Sequence, residues 1–241
     1  MGGRMPMLLP KYEQLPPNLQ IPEVKPYYDS LKHKQGQLLC KRLFDLFAAL
    51  VLLILLSPLF LGVAIWIKCD SSGPVFFRQT RITQFGKPFC ILKFRTMVEN
   101  APLLGAQVTS KEDARVTKSG KILRSFRLDE LPQLLNILSG KMSLVGVRPE
   151  VPYYVRKYTP EMMATLLLPA GVTSPASIAF AREAELLTHT DNLETTYIQQ
   201  ILPQKMAQNL NYLKKFSFFS DMQILWDTVQ AVFFPRKEKG I

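Results

Sequence analysis

Leu46-Phe47-Ala48-Ala49-Leu50-Val51-Leu52-Leu53-Ile54-Leu55-Leu56-Ser57-Pro58-Leu59-Phe60-Leu61-Gly62-Val63-Ala64-Ile65-Trp66-Ile67 is a run of 22 residues without a charge. Its length matches the roughly 20 apolar residues a membrane segment needs. A cleaved signal peptide does not fit, because the run begins some 45 residues in and has Pro58 near its centre. A buried core helix fits poorly, since uncharged runs of this length are rare in soluble domains. Ser57-Pro58 then decides the topology. Pro58 removes a backbone donor and crowds the Ile54 carbonyl, so a helix must kink or break there, with the Ser57 hydroxyl available to a freed backbone group. Each half, at 10 or 11 residues, makes about 15–17 Å of helix, roughly half the hydrocarbon thickness. Lys32, Lys34, Lys41 and Arg42 precede the run and Lys68, Arg78 and Arg81 follow it, so both flanks are positive and both ends are expected on the cytoplasmic side. A re-entrant hairpin over residues 38–68 satisfies both observations; a kinked spanning helix is the alternative. Asp45, at the entry, is expected to pair with Lys41, Arg42 or a base from the later chain.

Ahead of the hairpin, residues 1–37 hold Pro6, Pro10, Pro16, Pro17, Pro22 and Pro26 with no apolar period, and read as an extended, unstructured arm. Behind it, residues 69–241 read as a membrane-associated catalytic domain at the cytosolic face. Pro74-Val75-Phe76-Phe77-Arg78-Gln79 and Pro88-Phe89-Cys90-Ile91-Leu92-Lys93-Phe94-Arg95 are expected strands, turned by Gln84-Phe85-Gly86-Lys87. The remainder looks helical, punctuated at Ser139-Gly140, Pro149, Pro169-Ala170-Gly171 and Pro175. The expected class is therefore α+β, mainly helical, with one small β-hairpin.

Composition narrows the chemistry. The 241 residues carry 30 Lys and Arg against 19 Asp and Glu, a net charge of +11. Residues 1–45 contribute +3, residues 68–128 contribute +8, and residues 129–241 are neutral. A block that basic expects polyanions: nucleic acid, anionic head groups or the phosphates of a small substrate. Cys40, Cys69 and Cys90 form no C-x-x-C pair, so neither a disulfide framework nor a zinc ribbon is encoded. The two histidines, His33 and His189, leave the chemistry to carboxylates, lysines, arginines and hydroxyls.

Leu131, Leu134, Leu135 and Leu138 recur at helical spacing and stop at Ser139-Gly140, which places Asp129 and Glu130 at a helix N-terminus with Pro132 in its first turn. Acids at helix starts are ordinary caps. Their company is not ordinary: Lys118, Lys121, Arg124 and Arg127 approach at three-residue spacing, and Lys93, Arg95 and Arg148 form further basic clusters. An ionised Asp ringed by cations suits attack on phosphorus, with a second carboxylate to hold Mg²⁺. A basic surface for RNA or DNA lacks any zinc-finger spacing or ribonucleoprotein motif and leaves the apolar run unexplained, so no nucleic-acid partner is expected.

Five ordered motifs carry a resemblance. Lys41-Arg42-Leu43-Phe44-Asp45 opens the broken apolar run; Gly73-Pro74-Val75-Phe76-Phe77-Arg78-Gln79, Lys93-Phe94-Arg95-Thr96-Met97, Leu128-Asp129-Glu130-Leu131-Pro132-Gln133-Leu134-Leu135-Asn136 and Met142-Ser143-Leu144-Val145-Gly146-Val147-Arg148-Pro149-Glu150 follow. Over roughly residues 38–234 the chain resembles a bacterial sugar transferase, a monotopic phosphoglycosyl transferase. The resemblance implies transfer of a sugar 1-phosphate from a nucleotide sugar, UDP-linked, to polyprenyl (undecaprenyl) phosphate at the cytoplasmic face of the bacterial inner membrane, as the first membrane step of a polysaccharide or glycoconjugate pathway. It implies Asp129 as covalent nucleophile in a ping-pong reaction releasing UMP, Glu130 as a Mg²⁺ ligand, and Lys93, Arg95, Arg124, Arg127, Arg148, Pro149 and Glu150 as substrate-binding positions. Asp221 matches a family carboxylate near the active-site arginines, with a plain N-cap as its other reading. Anionic inner-leaflet lipids are expected partners, and a homodimer is left open. A non-catalytic basic membrane adaptor is the reading from a different class.

Departures from the family pattern are Val147, where a Pro is usual, and residues 169–182, where Ala179-Phe180-Ala181-Arg182 replaces the usual Gln and Gly-Arg. With no multi-helix membrane module ahead of the hairpin, the sequence resembles the compact members. Near the C-terminus, residues 221–234 can start a helix at Asp221 with Leu225, Val229 and Val232 on one face. Phe218, Phe219, Trp226, Phe233 and Phe234, followed by Arg236, Lys237 and Lys239, suggest an interfacial helix, and the periodicity fits an ordinary core helix with a polar tail equally well.

Overall fold

The computed structural model describes residues 8–99, 101, 113–180 and 193–233. The apolar run forms two helices, α2 (Gln35–Leu55) and α3 (Ser57–Asp70), after a short α1 (Lys25–Lys32). Between α2 and α3 the chain bends by 62°. The cause is local and as expected: Pro58 falls in the first turn of α3, where its missing N–H needs no partner, and Ser57 Oγ donates to Ile54 O at 2.8 Å. Among the described residues no single helix is long and apolar enough to cross a membrane; the bent pair together is. Phe47, Ile54, Leu55, Leu61 and Ile65 are exposed around the bend, so the elbow is apolar and uncovered by protein.

The root of α2 is fixed to the rest of the chain by two buried charges. Arg42 donates to Ile137 O at 2.9 Å and Met142 O at 3.2 Å. Asp45 departs from expectation: it accepts from Ser143 Oγ at 2.7 Å and from the Leu144 N–H at 3.1 Å, and among the described residues no base forms an ion pair with it. Backbone and hydroxyl donors satisfy the carboxylate, while Lys41 is drawn elsewhere.

Strands β1 (Phe76–Ile82) and β2 (Pro88–Phe94) pair antiparallel, from Phe76 opposite Phe94 to Ile82 opposite Pro88. The turn lies where Gln84-Phe85-Gly86 placed it, with Phe85 at φ 60° and Gly86 at φ 72°. The first strand runs three residues beyond its expected end, because Thr80, Arg81 and Ile82 continue the ladder. Two elements that the helical reading of the later chain missed, β3 (Met142–Val145) and β4 (Ala170–Thr173), form a parallel pair. They cross so closely that a Cβ on Gly171 would lie 2.1 Å from Gly146 N. Between and around these lie α4 (Lys118–Ser125), α5 (Gln133–Leu138), α6 (Pro152–Val155) and α7 (Pro175–Ala179), then a helix over Leu202–Lys214 and another over Phe218–Phe233.

The Pro-rich segment is folded over its described part, residues 8–37, contrary to the expectation of an extended arm. Two 3₁₀ turns and α1 carry Leu9, Leu15, Leu19, Val24, Tyr27, Tyr28 and Leu31 into one core cluster with Leu166, Leu167, Leu213 and Phe216. Tyr27 Oη donates to Glu161 at 2.5 Å, and Gln35 exchanges hydrogen bonds with both backbone groups of Leu9 at 3.2 Å. Proline-led 3₁₀ turns bury apolar side chains at irregular spacing, so no helical or strand period marks them. Residues 1–7, with Pro6, lie outside the described residues.

The helix Phe218–Phe233 starts earlier than expected. Ser217 Oγ accepts from the Ser220 N–H at 3.0 Å, so serine rather than Asp221 caps it. Asp221, Ile224 and Thr228 turn inward and Leu225 packs against the same core, so the expected Leu225, Val229, Val232 face is split: Val229 is exposed, as are Phe219 and Trp226. Phe234, Arg236, Lys237 and Lys239 lie outside the described residues, as do Ala181 and Arg182.

Candidate active site

Three elements bring cations to the turn that carries the Asp-Glu dyad. Lys93 comes from β2, Arg124 from the last turn of α4, Arg148 from the loop after β3, and the dyad itself from a 3₁₀ turn, Leu128–Glu130. The dyad therefore precedes α5 as a separate turn, with Pro132 between them, instead of opening the helix as the leucine period suggested. Arg127 enters this turn in the left-handed region at φ 53°, ψ 22°. A non-glycine residue there is uncommon and reverses the chain between α4 and the dyad.

Neighbouring contacts fix the parts relative to each other. Asn136 of α5 donates to Cys90 O at 2.8 Å and accepts from the Leu92 N–H at 2.9 Å, stitching α5 to the edge of β2 one residue from Lys93. A Cβ on Gly120 would lie 2.1 Å from Thr96 O, so α4 sits against the backbone that follows β2, and one turn later Arg124 Nε donates to Thr96 Oγ1 at 2.9 Å.

Glu130 is gripped from two sides. Lys93 Nζ lies 2.9 Å from Oε1, Arg148 Nη1 3.1 Å from Oε2, and Arg148 Nη2 also bonds Oε1. Burial alone pushes Glu130 up, but the charges of Arg148, Lys93 and Arg127 overturn this and hold it well below the usual carboxylate range. Arg148 is raised in return by Glu130. Asp129 has no such partner. It is 8% exposed and accepts no hydrogen bond from any described residue. Burial pushes its pKa up, with Lys93 opposing and Glu130 adding to the rise. Lys93 and Arg124 are both lowered by desolvation, offset by Glu130 and Asp129 respectively. One carboxylate is thus tied and ionised, while its neighbour is largely buried and contacted by no described donor.

Glu130 Oε1 accepts two donors and Oε2 one, so Oε2 keeps a lone pair, and the Asp129 carboxylate accepts from no described donor. Among the described residues no group of three or more His, Cys, Asp or Glu gathers for a metal. The donor set fits a Mg²⁺ that retains several waters and takes its remaining ligands from substrate phosphates; it does not fit an all-protein cage.

Other expected site residues are placed elsewhere. Arg95 Nη2 donates to Ser71 O at 2.7 Å and Ser71 Oγ at 2.9 Å, tying the exit of α3 to β2. Pro149 offers its carbonyl to Arg81 Nη1 at 3.0 Å. Glu150 accepts from Tyr197 Oη at 2.5 Å, with Lys205 Nζ at 3.5 Å and Arg81 Nη1 at 3.8 Å. Asp221 is fully buried against Lys41 Nζ at 2.5 Å and Tyr212 Oη at 2.9 Å. No site role was expected of Asn136, Thr96, Tyr197 or Lys205, and Arg81 entered only as part of the positive flank after the apolar run. Only Asn136 carried a local signal, as a polar residue beside the apolar stripe of α5.

The bacterial sugar transferase family model matches residues 36–235. An Aeromonas hydrophila UDP-N-acetylgalactosamine-undecaprenyl-phosphate N-acetylgalactosaminephosphotransferase is 35% identical over 195 residues, 80% of this chain and 43% of that protein. A Caulobacter vibrioides UDP-glucose:undecaprenyl-phosphate glucose-1-phosphate transferase is 38% identical over 197 residues, 80% of this chain and 69% of its own length. The exopolysaccharide production protein ExoY of Rhizobium meliloti is 33% identical over 213 residues, 82% and 87% of the respective chains. The chain thus spans less than half of the Aeromonas relative and most of the Rhizobium one.

Proposed function

The chain belongs to the bacterial sugar transferase family, and from that premise we propose that it transfers a sugar 1-phosphate from a UDP-sugar to undecaprenyl phosphate, through a phosphosugar bound to Asp129. The observation that carries the reading is the asymmetry of the dyad: Asp129 is buried and accepts no hydrogen bond from any described residue, while Glu130 is held by Lys93 and Arg148. In the first half-reaction an Asp129 carboxylate oxygen attacks the phosphorus bearing the sugar, and the bond from that phosphorus to the bridging oxygen breaks as UMP leaves. In the second, an oxygen of undecaprenyl phosphate attacks the same phosphorus. The Asp129 carboxylate is regenerated, and the product is a polyprenyl diphosphate sugar.

Charge accumulates on phosphate oxygens in both steps, and preorganised cations are the principal means of stabilising it. Lys93, Arg124 and Arg148 supply them. Largely buried and bonded to no described donor, the Asp129 carboxylate needs no protein hydrogen bond broken before it attacks. Bound at the Glu130 Oε2 side, Mg²⁺ would neutralise phosphate charge.

The elbow of α2 and α3 supports insertion as a re-entrant hairpin in one leaflet, bringing a lipid phosphate and a soluble nucleotide sugar to one plane. Exposed Phe219 and Trp226 beside it support contact of the last described helix with the same interface. Cys40 and Cys69 flank the apolar elbow and are exposed. A membrane-impermeant maleimide should label them from the cytoplasmic side alone; periplasmic labelling of Cys69 favours a spanning helix.

UMP release from a panel of UDP-sugars, with and without undecaprenyl phosphate, tests the activity and identifies the donor. Intact-mass analysis with donor alone should show the phosphosugar adduct on Asp129. Absence of UMP under every donor, with salt-dependent polyanion binding instead, is the result expected of an adaptor.

A further inference from the structure

Arg148 grips Glu130 from a loop of irregular backbone, yet its neighbours are held unusually well. Gly146 N–H donates to Thr173 O and Gly171 N–H to Val147 O, both at 2.9 Å. On the far side of Arg148, Ile82 N–H donates to Glu150 O at 3.0 Å and Arg81 Nη1 to Pro149 O at 3.0 Å. The Glu150 carboxylate, 6% exposed, then meets Tyr197 Oη, and Lys205 Nζ donates to the same hydroxyl at 3.0 Å.

A π turn over Tyr197–Ile201 makes this meeting possible: the Leu202 N–H reaches back to Tyr197 O. In a regular helix at about 100° per residue, positions eight apart diverge by about 80°. One residue absorbed in a π turn leaves about seven, and the divergence falls to about 20°. Tyr197 and Lys205 thereby share a face and close on Glu150 together. The Tyr197 ring is held independently, 4.8 Å from that of Tyr154.

We propose that Tyr197 and Lys205, acting through Glu150, are positioning residues that hold Arg148 against the Asp129–Glu130 dyad. They touch neither the dyad nor, on the functional reading above, the phosphates. What Arg148 accomplishes in turnover rests on that reading; where Arg148 is held does not.

Two readouts test the proposal. Tyr197→Phe keeps the ring and removes the hydroxyl. Modification of Arg148 by phenylglyoxal, followed by peptide mass spectrometry on the full chain in detergent, should accelerate several-fold in this variant, with exposed Arg156 unchanged as the internal control. Glu150→Gln should do the same. UMP release should fall about tenfold in Tyr197→Phe, as expected for a displaced charged group. In an Arg148→Lys background the same substitution should cost less than about twofold, because both act through one side chain. Unchanged Arg148 reactivity, or an equal loss of turnover in both backgrounds, overturns the proposal. A wild-type chain that releases no UMP sinks the functional reading instead, and leaves the modification experiment to decide the positioning.

Discussion

Two buried carboxylate clusters of this molecule use the same residue types to opposite ends. At the dyad, Lys93, Arg124 and Arg148 face Asp129 and Glu130, and Asp129 accepts no hydrogen bond from any described residue. At the other cluster, Asp221 meets Lys41 and Tyr212 beneath the root of α2, and nothing there is open: Lys41 is 3% exposed and Asp221 fully buried. Burial pushes both Asp129 and Asp221 up, with lysine opposing in each case. The direction of a pKa shift therefore does not separate a reactive acid from a structural one. Surplus cations and a carboxylate that no described donor contacts do.

The strongest way to break this contrast is Asp129→Asn. Turnover should fall by about a thousandfold or more, as for loss of a covalent nucleophile, while detergent extraction is unchanged; substantial residual UMP release removes Asp129 from that role. Next in size is Lys41→Met, which strands the Asp221 charge in the core. Breaking one side of a buried pair costs about 3–5 kcal/mol, so the denaturation midpoint should drop sharply while turnover per folded molecule is retained. A loss of turnover with intact stability would place Asp221 in the reaction after all. Leu19→Ala, in the folded N-terminal segment, should cost about 2–4 kcal/mol by leaving a cavity; a variant as stable as the parent would return that segment to an unstructured arm.

The smallest effect concerns pH. Because burial raises Asp129 above its unfolded value, its ionised form weighs against the fold at neutral pH, and this burden disappears as pH falls below the ordinary aspartate range. In metal-free buffer Asp129→Asn should therefore raise Tm slightly at pH 7 and lose that advantage near pH 3. Glu130 has the opposite sign: held low by Arg148 and Lys93, it stabilises above the ordinary glutamate range, and Glu130→Gln should lower Tm at pH 7. Equal responses from both substitutions would erase the distinction between the tied acid and the open one.

What was legible beforehand was local. Ser57-Pro58 specifies its own break, Phe85-Gly86 its own turn, and the cations at three-residue spacing announced the dyad because each signal is spent within a few residues. Asp221 could not be read this way, since its partner Lys41 lies 180 positions earlier in the chain. Asp45 likewise met Ser143 and Leu144 across the fold in place of a neighbouring base. The strands β3 and β4 were hidden by their length of four residues and by pairing across a long connection. The N-terminal prolines misled for a different reason: 3₁₀ turns bury leucines without any period that a sequence displays.

The left-handed backbone at Arg127 has a consequence for what may stand there. Glycine would reach those dihedral angles without the roughly 1–2 kcal/mol that a side chain incurs, so a chain selected for ease of folding alone would carry it. Keeping arginine preserves a positive charge that helps depress Glu130. At this corner the polypeptide tolerates a contorted joint in order to retain an electrostatic one, and relaxing the joint would disarm the carboxylate it serves.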